Sequence, residues 1–224
     1  MNDLTLKPLK EVNAVMSRHS TQSRSVEDLT DIYRDDVNMS VWQRTVSPEL
    51  LQAAHYVLSL NHGFRFSASV TPQDAFESLY TALGAGDEAH LICADAAEIV
   101  DMFCCLFDLH NVGLRFATLD RAMCPKFHVD RVPCRLVTTY SGIATQWLSH
   151  QVVNREKLGV GSQGRSDAES GLYRDQNDIQ QLKSGDVALL KGESWLGNEG
   201  GGLVHRSPNI SHENKRLLLT LDFA

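Results

Sequence analysis

The stretch that decides the fold runs from Cys124 to Leu148 and reads CPKFHVDRVPCRLVTTYSGIATQWL. It holds three short runs of β-forming residues, Lys126–Asp130, Arg135–Tyr140 and Thr145–Leu148, and the turn residues Ser141-Gly142 precede the last of them. Four more runs of this type lie outside it: Leu114–Leu119, Val187–Leu190, Leu203–His205 and Arg216–Phe223. A succession of short strands with no helices between them predicts a barrel or jelly roll over residues 113–224, and not a parallel α/β sheet.

The chain ahead of this region has helical patterns. Ser47-Pro48-Glu49 predicts an N-cap, a proline at the first helical position and an acidic first turn. A second helix is predicted to open at residues 71–74 and to end at Gly84, and a third to run from about Asp87 to His110. Residues 1–45 are polar and weakly periodic, which predicts an extended arm or a partly ordered segment. The expected fold class is α+β, with helices over residues 46–112, a barrel over residues 113–224, and residues 46–224 as one compact unit.

Composition limits the classes of partner. The chain has 224 residues with 21 Lys+Arg and 28 Asp+Glu, a net charge of −7, and all of the acidic excess lies in residues 1–120. An acidic half repels phosphate backbones, and no basic cluster with interleaved aromatic residues is present, so we expect no nucleic-acid partner. No apolar run has the length of a membrane span, and the start has no signal-peptide pattern, which predicts a cytoplasmic protein. The five cysteines are expected to be free thiols.

A metal-binding pattern lies inside the deciding stretch. His128 and Asp130 are two residues apart in a β-type run, so both side chains should leave the same face of one strand. An imidazole and a carboxylate on one face supply two of the three ligands in the two-His-one-carboxylate triad of non-haem Fe(II) oxygenases. The alternative is a histidine satisfied by its surroundings beside a surface aspartate.

A second histidine and an arginine extend this pattern. His205 ends one β-type run and Arg216 begins the next, with a turn-like segment between them. If these runs form a hairpin centred near Ile210 and Ser211, His205 and Arg216 face each other across the ladder. A cation would then lie beside a second histidine ligand, where a metal-chelating co-substrate needs an arginine for its far carboxylate. The alternative for Arg216 is an exposed cation at a strand end.

With the segments GDVALLKGESW, GLVHRSP and RLLLTLDF, the deciding stretch resembles the Fe(II)/2-oxoglutarate-dependent dioxygenases of the prolyl and lysyl hydroxylase type. It resembles more closely the bacterial family catalogued as domain of unknown function 1826, to which no reaction is attached. The resemblance implies a double-stranded β-helix with His128, Asp130 and His205 as iron ligands. It also implies Arg216 as the anchor of the 2-oxoglutarate carboxylate, Tyr140 as a second co-substrate contact, and hydroxylation coupled to formation of succinate and CO2.

Two other functions stay open at this point. Thiolates favour zinc, and Cys124, His128, Cys134 and His205 would make a closed four-ligand zinc site without redox chemistry. A barrel without catalytic activity that binds a partner or small ligand would need only the fold. The substrate of an oxygenase would be a small molecule, a peptide or a protein side chain, and the oligomeric state is open.

Two flexible-looking segments are candidates for a mobile mouth of the site. Residues 154–183 form a long polar insert, and the Gly197–Gly202 segment lies just before His205. Long inserts without regular structure are often lids or binding loops, and the alternative is an ordinary surface loop.

Overall fold

The computed structural model describes residues 17–60, 63–211 and 214–224. Three long helices and one short one are α1 Pro48–Leu60, α2 Ala75–Leu83, α3 Asp87–Phe107 and α4 Asp167–Ser170. The strands are β1 His19–Ser23, β2 Val37–Trp42, β3 Arg65–Val70, β4 Val112–Leu119, β5 Cys134–Ser141, β6 Gln146–Leu148, β7 Ile179–Gln181, β8 Val187–Lys191, β9 Val204–Arg206 and β10 Arg216–Phe223. Within the described ranges, no helix is both long and apolar enough to cross a membrane.

The strands form a large and a small sheet. The large sheet has seven strands in the order β1-β2-β8-β5-β10-β4-β3, and the small sheet has three in the order β7-β6-β9. The β1–β2 pair is parallel, and the other pairs are antiparallel. The chain is thus a mixed helix and strand protein dominated by one large sheet.

The two faces of the large sheet are buried in different ways. One face contributes leucines of β5, β8 and β10 to a hydrophobic cluster that also holds Ile92, Val100 and Phe103 of α3. The other face contributes Val137 and Leu218 to a second cluster, which includes Trp147 of the small sheet. Because side chains alternate along a strand, β4, β5, β8 and β10 each supply residues to both clusters. The space between the two sheets holds the cavity described below.

The predicted helix starts agree with the structure. Helix α1 begins at Pro48, α2 follows Asp74 and ends before Gly84, and α3 begins at Asp87. Helix α3 ends at Phe107, three residues before the predicted His110, because Asp108 takes a left-handed conformation with φ 52° and stops the helix.

The expectation of a polar arm is wrong for residues 17–45. They hold β1, a 3-10 helix over Val26–Tyr33, and β2. Strand β2 lies between β1 and β8, and Val37, Met39 and Val41 are at most 2% exposed. Strand β3 likewise lies in the segment expected to be helical. Strands from both halves therefore build one sheet, and no boundary falls at residue 45 or 112. Residues 1–16 lie outside the described residues.

The predicted hairpin between Leu203–His205 and Arg216–Phe223 is also wrong. Strand β9 pairs with β6 in the small sheet, whereas β10 pairs with β4 and β5 in the large one. The connection contains Pro208, which has no N–H to donate to a ladder. His205 and Arg216 therefore lie in different sheets.

Two further segments differ from their predictions. Lys126–Asp130 is not a strand, and its one bridge is between His128 and His205. The insert over residues 154–183 is ordered, with 3-10 turns, α4 and β7. Its Leu172 and Tyr173 are buried against a cluster that includes Phe127 and Val204. This insert is therefore packed against the small sheet.

Candidate metal centre

The centre of the candidate site is one backbone bridge between two histidines. His128 N donates to His205 O, and His205 N donates to His128 O, both at 3.0 Å. This reciprocal pair sets the imidazoles side by side, with ring centroids 4.6 Å apart. Asp130 follows two residues later. One ligand atom from each of His128, Asp130 and His205 lies within 4.8 Å of the others, the one such group of three among the described residues.

Hydrogen bonds to carbonyl groups set the tautomer of both histidines. The Nδ1 of His128 is 2.9 Å from Lys126 O, and the Nδ1 of His205 is 3.2 Å from Leu203 O. A carbonyl oxygen only accepts, so each Nδ1 carries a proton and donates it. The neutral ring then has its lone pair on Nε2. Both Nε2 atoms face the Asp130 carboxylate, at 3.7 Å for His128 and 3.3 Å for His205.

Ionisation of these groups also suits metal binding. Burial and the neighbouring His205 lower the pKa of His128, so its ring is neutral at pH 7. Burial raises the pKa of Asp130, but its contact with the His205 ring and the positive charge of Arg135 outweigh this effect and bring the pKa to about 2. The site thus combines a carboxylate with an imidazole that needs no deprotonation before it binds a metal.

Arg135 fixes the carboxylate of Asp130, a role that was not predicted from the sequence. Its Nη1 donates to Asp130 Oδ2 at 2.8 Å, and its Nε and Nη2 donate to the two carboxylate oxygens of Asp222 at 2.7 and 3.0 Å. Arg135 and Asp222 are register partners on β5 and β10. Arg115 of β4 also contacts Asp222, at 3.1 Å. Three strands of the large sheet therefore hold one side chain of the triad in place.

Arg216 is a buried cation without a buried anion. It is 1% exposed, and its Nε and Nη2 donate to Thr139 Oγ1 at 3.1 and 2.8 Å, with Nη2 also donating to Thr145 Oγ1 at 2.7 Å. Within the described residues, no carboxylate forms an ion pair with it. Burial lowers the pKa of Arg216 to about 10, so it is charged at neutral pH. A buried, uncompensated charge is costly unless a ligand of opposite sign completes it.

The two histidines and Arg216 line one cavity of about 210 Å³ between the sheets. Its walls include the apolar side chains Val137, Leu190 and Leu218. His205 reaches this cavity from the small sheet and Arg216 from the large sheet. His205 and Arg216 therefore line the same cavity, as expected from the sequence, although no hairpin brings them together.

Tyr140 does not lie in this cavity, which corrects its expected role as a co-substrate contact. Its hydroxyl donates to Asp95 Oδ2 of α3 at 2.7 Å, on the helix-facing side of the sheet. Arg44 contacts the same carboxylate at 2.6 and 3.0 Å. Alternation along β5 explains the difference, because Val137 lines the cavity and Tyr140, three positions later, faces the opposite side.

The thiolate zinc site is not formed. Neither Cys124 nor Cys134 joins the cluster of His128, Asp130 and His205. Cys134 is fully buried on β5, and burial raises the pKa of its thiol, which stays protonated. Cys124 is exposed near the mouth of the cavity. The cysteines of the described chain are free thiols.

A family model described as "protein of unknown function (DUF1826)" matches residues 23–222. The chain belongs to the DUF1826 family. The match begins at the last residue of β1 and includes β10 almost to its end, so the family region contains the whole candidate site. No curated protein sequence matches this DUF1826 chain.

Several solved structures are distantly similar to the DUF1826 chain. A dioxygenase for auxin oxidation from rice has 11% identity and a TM-score of 0.49, with 92% of this chain and 82% of that chain covered. HygX from Streptomyces hygroscopicus, solved with nickel and 2-oxoglutarate bound, has 13% identity and a TM-score of 0.48, with 89% and 86% covered. A Pseudomonas putida prolyl-4-hydroxylase has 11% identity and a TM-score of 0.45, with 88% and 96% covered.

Proposed function

We propose that this DUF1826 protein is a non-haem Fe(II)/2-oxoglutarate-dependent oxygenase. In this proposal the two sheets are a double-stranded β-helix, and the helices pack on the outer face of its large sheet. The observation that carries the proposal is the unpaired, buried guanidinium of Arg216, which lines the same cavity as His128 and His205. The ligand atoms of these two histidines cluster with a carboxylate oxygen of Asp130. A closed zinc site without redox chemistry does not require a buried arginine beside the metal. A dicarboxylate co-substrate does, because its far carboxylate needs a cation.

The donor set fits a divalent iron ion. Two imidazole nitrogens and one carboxylate oxygen can form the facial arrangement that leaves other coordination positions open. Both Nδ1 protons are held by carbonyl groups, so both Nε2 lone pairs are available to one ion. Carboxylate oxygen is a hard ligand and imidazole nitrogen a borderline one, and this combination suits Fe(II). A set of thiolates would favour zinc instead.

The residues of the chain have separate tasks in this proposal. His128, Asp130 and His205 would hold the metal, and Arg135 would keep Asp130 oriented toward it. Arg216, already held by Thr139 and Thr145, would bind the far carboxylate of 2-oxoglutarate through a charge-assisted hydrogen bond.

The bound iron and 2-oxoglutarate would supply oxygen activation coupled to decarboxylation to succinate and CO2. The chain itself would orient the co-substrate between Arg216 and the triad. The apolar walls formed by Val137, Leu190 and Leu218 would keep water away from the reacting groups.

Calorimetric titration of 2-oxoglutarate into the Mn(II)-loaded chain tests this function. We expect binding to the wild-type protein and a loss of affinity on the order of 10- to 100-fold in Arg216→Gln, because one charge-assisted interaction is removed. Arg24→Gln, at an exposed arginine that does not line the cavity, is the matched control and should bind as the wild type does. Equal affinity of the Arg216 variant and the wild type would contradict the proposal.

A further inference from the structure

Arginines concentrate around the cavity although the chain as a whole is acidic. Its lining includes five arginines: Arg65, Arg115, Arg135, Arg206 and Arg216. The carboxylates that contact them are Asp130, Asp167 and Asp222. Among the described residues, the cavity thus has five guanidinium groups, of which three contact these three carboxylates. This leaves an excess of two positive charges in a protein of net charge −7. The charge of a divalent metal and that of a dicarboxylate co-substrate would cancel. The excess positive charge of the arginines would therefore persist when both are bound.

Three of these arginines are already engaged inside the site. Arg216 is held by two threonines, and Arg135 spans Asp130 and Asp222. Arg206 donates to Gln146 at 2.8 Å, pairs with Asp167 at 3.1 Å, and lies over the Phe127 ring at 4.3 Å. None of these groups needs a further partner other than the proposed co-substrate at Arg216.

The two remaining arginines form a rim at the mouth of the cavity. Arg115 pairs with Asp222, a carboxylate that Arg135 already occupies with two hydrogen bonds, and the Arg115 side chain is 54% exposed. The side chain of Arg65 is exposed and makes no hydrogen bond or ion pair with the part of the chain that the structure describes. We call Arg65, Arg115 and Ser67 the rim.

Register brings the rim residues together on one face. Arg65 is paired with Ala117, and Ser67 with Arg115, across the antiparallel β3–β4 ladder. Arg65 and Arg115 are therefore diagonal neighbours, for which Cα separations of roughly 7–8 Å are typical. Two arginine side chains at this spacing can reach one anionic group, and the Ser67 hydroxyl between them can donate to it as well.

The space between rim and triad is small and mostly apolar. A cavity of about 210 Å³ lies below the roughly 300–1,000 Å³ usual for ligand pockets, so only a compact molecule or the end of one can enter. Ala117, Val137 and Leu218 line the path from the rim toward the histidines. The apolar part of a ligand would therefore fit along this path, whereas its charged group would lie beside the arginines of the rim.

From these observations we propose that the rim binds the anionic group of the substrate, which is a small organic acid oxidised at a carbon away from its carboxylate, sulfate or phosphate. Oxidation of this acid rests on the proposed function, but its binding at the rim does not. The excess positive charge would also attract such acids from solution and disfavour cationic substrates.

Ligand-observed NMR on the full, metal-free chain tests the rim without relying on turnover. The probes are matched pairs of small molecules that differ in charge: benzoate with benzamide, hexanoate with hexanamide, and phenyl phosphate with phenol. We expect each acid to bind on the order of tenfold more tightly than its neutral partner, with the preference weakening as salt is added. Comparison of the carboxylates with the phosphate identifies the favoured anionic group.

Variants locate the bound anion. The preference should be lost in Arg65→Gln and Arg115→Gln, and it should reverse in Arg65→Glu. It should remain in Arg24→Gln and in Arg216→Gln. Acids that bind no better than their neutral partners would overturn the proposal, as would a preference that survives in both rim variants. A preference lost only in Arg216→Gln would overturn it too, because the anion would then occupy the co-substrate anchor. Failure of 2-oxoglutarate to bind would contradict the oxygenase function but leave a rim preference intact.

Discussion

Arg135 donates a hydrogen bond to Asp130 at 2.8 Å while the rest of its guanidinium is held by both oxygens of Asp222. This contact ties the carboxylate of the candidate triad to the middle of the large sheet. Asp130 itself lies in a segment without regular structure. A ligand carried by such a segment gains its orientation from an outer partner, and Arg135 supplies it.

Arg135→Lys should weaken metal binding while preserving the positive charge. A lysine cannot donate to both Asp130 and Asp222 in a planar fork, so the carboxylate loses its fixed orientation. Loss of an outer partner of this kind typically costs about 10- to 100-fold in metal affinity. Competition between the protein and a chelator for Mn(II) measures the effect, with Arg24→Gln as the control. An unchanged affinity would show that the Asp130 orientation does not depend on Arg135.

Arg216→Met should separate stability from co-substrate binding. The wild-type protein bears the desolvation cost of an unpaired buried cation, and methionine removes that cost at similar volume. We expect the free energy of unfolding of the metal-free protein to stay level or rise by about 1–4 kcal/mol, as measured by urea denaturation. The same variant should lose 2-oxoglutarate binding. A variant that unfolds more easily would instead assign Arg216 a structural role.

Tyr140→Phe should affect stability and not the site. The lost hydrogen bond to the Asp95 carboxylate leaves part of a buried network unsatisfied, at a cost of about 1–3 kcal/mol. Because Tyr140 lies on the helix-facing side of the sheet, the affinity for 2-oxoglutarate should equal that of the wild type. Urea denaturation measures the free energy of unfolding, and calorimetry on the same preparation measures the affinity for 2-oxoglutarate. A clear loss of 2-oxoglutarate affinity would show instead that Tyr140 contributes to binding of the co-substrate.

Acid should remove the stabilisation that Asp130 provides in the metal-free protein. Its pKa in the folded state is about 2, below the ordinary value of 3.8, so the ionised carboxylate stabilises the folded state above pH 4. That contribution, about 2 kcal/mol from the shift, is lost as the pH falls from about 4 toward 2. Asp130→Asn should therefore be less stable than the wild type at pH 7, and the gap should narrow below pH 4. A gap that stays constant with pH would mean that the charge of Asp130 is not what stabilises the fold.

Local patterns predicted the helices and most strands of the C-terminal half. Ser47-Pro48-Glu49 and Gly84 act through nearby backbone groups, so their effect is visible in the sequence. Strand β2 was missed although Val37, Met39 and Val41 alternate with polar residues, because its surroundings are polar and weakly periodic. Its polar Asn38 and Ser40 are buried as well, which the alternation alone does not predict. Its place in the sheet depends on β1 and β8, which lie at very different positions in the chain.

The parts of the site that depend on residues close together in sequence could be predicted. The parts that depend on pairing between distant strands could not. His128 and Asp130 share one short segment, and His205 and Arg216 could be expected near them. Their actual meeting depends on two sheets facing each other, which no local signal encodes. The role of Arg135 depends on its register with Asp222, 87 residues away.

The central claim is that His128, Asp130 and His205 hold Fe(II) and that Arg216 directs 2-oxoglutarate onto it. Anaerobic titration of the metal-free protein with Fe(II), followed by 2-oxoglutarate, tests it through the visible charge-transfer absorption of the chelate. We predict that the band appears in the wild type and in Arg24→Gln, is absent in His128→Ala, and needs far more 2-oxoglutarate in Arg216→Met. A wild-type protein without the band at saturating concentrations, or a band that persists in His128→Ala, would contradict the claim.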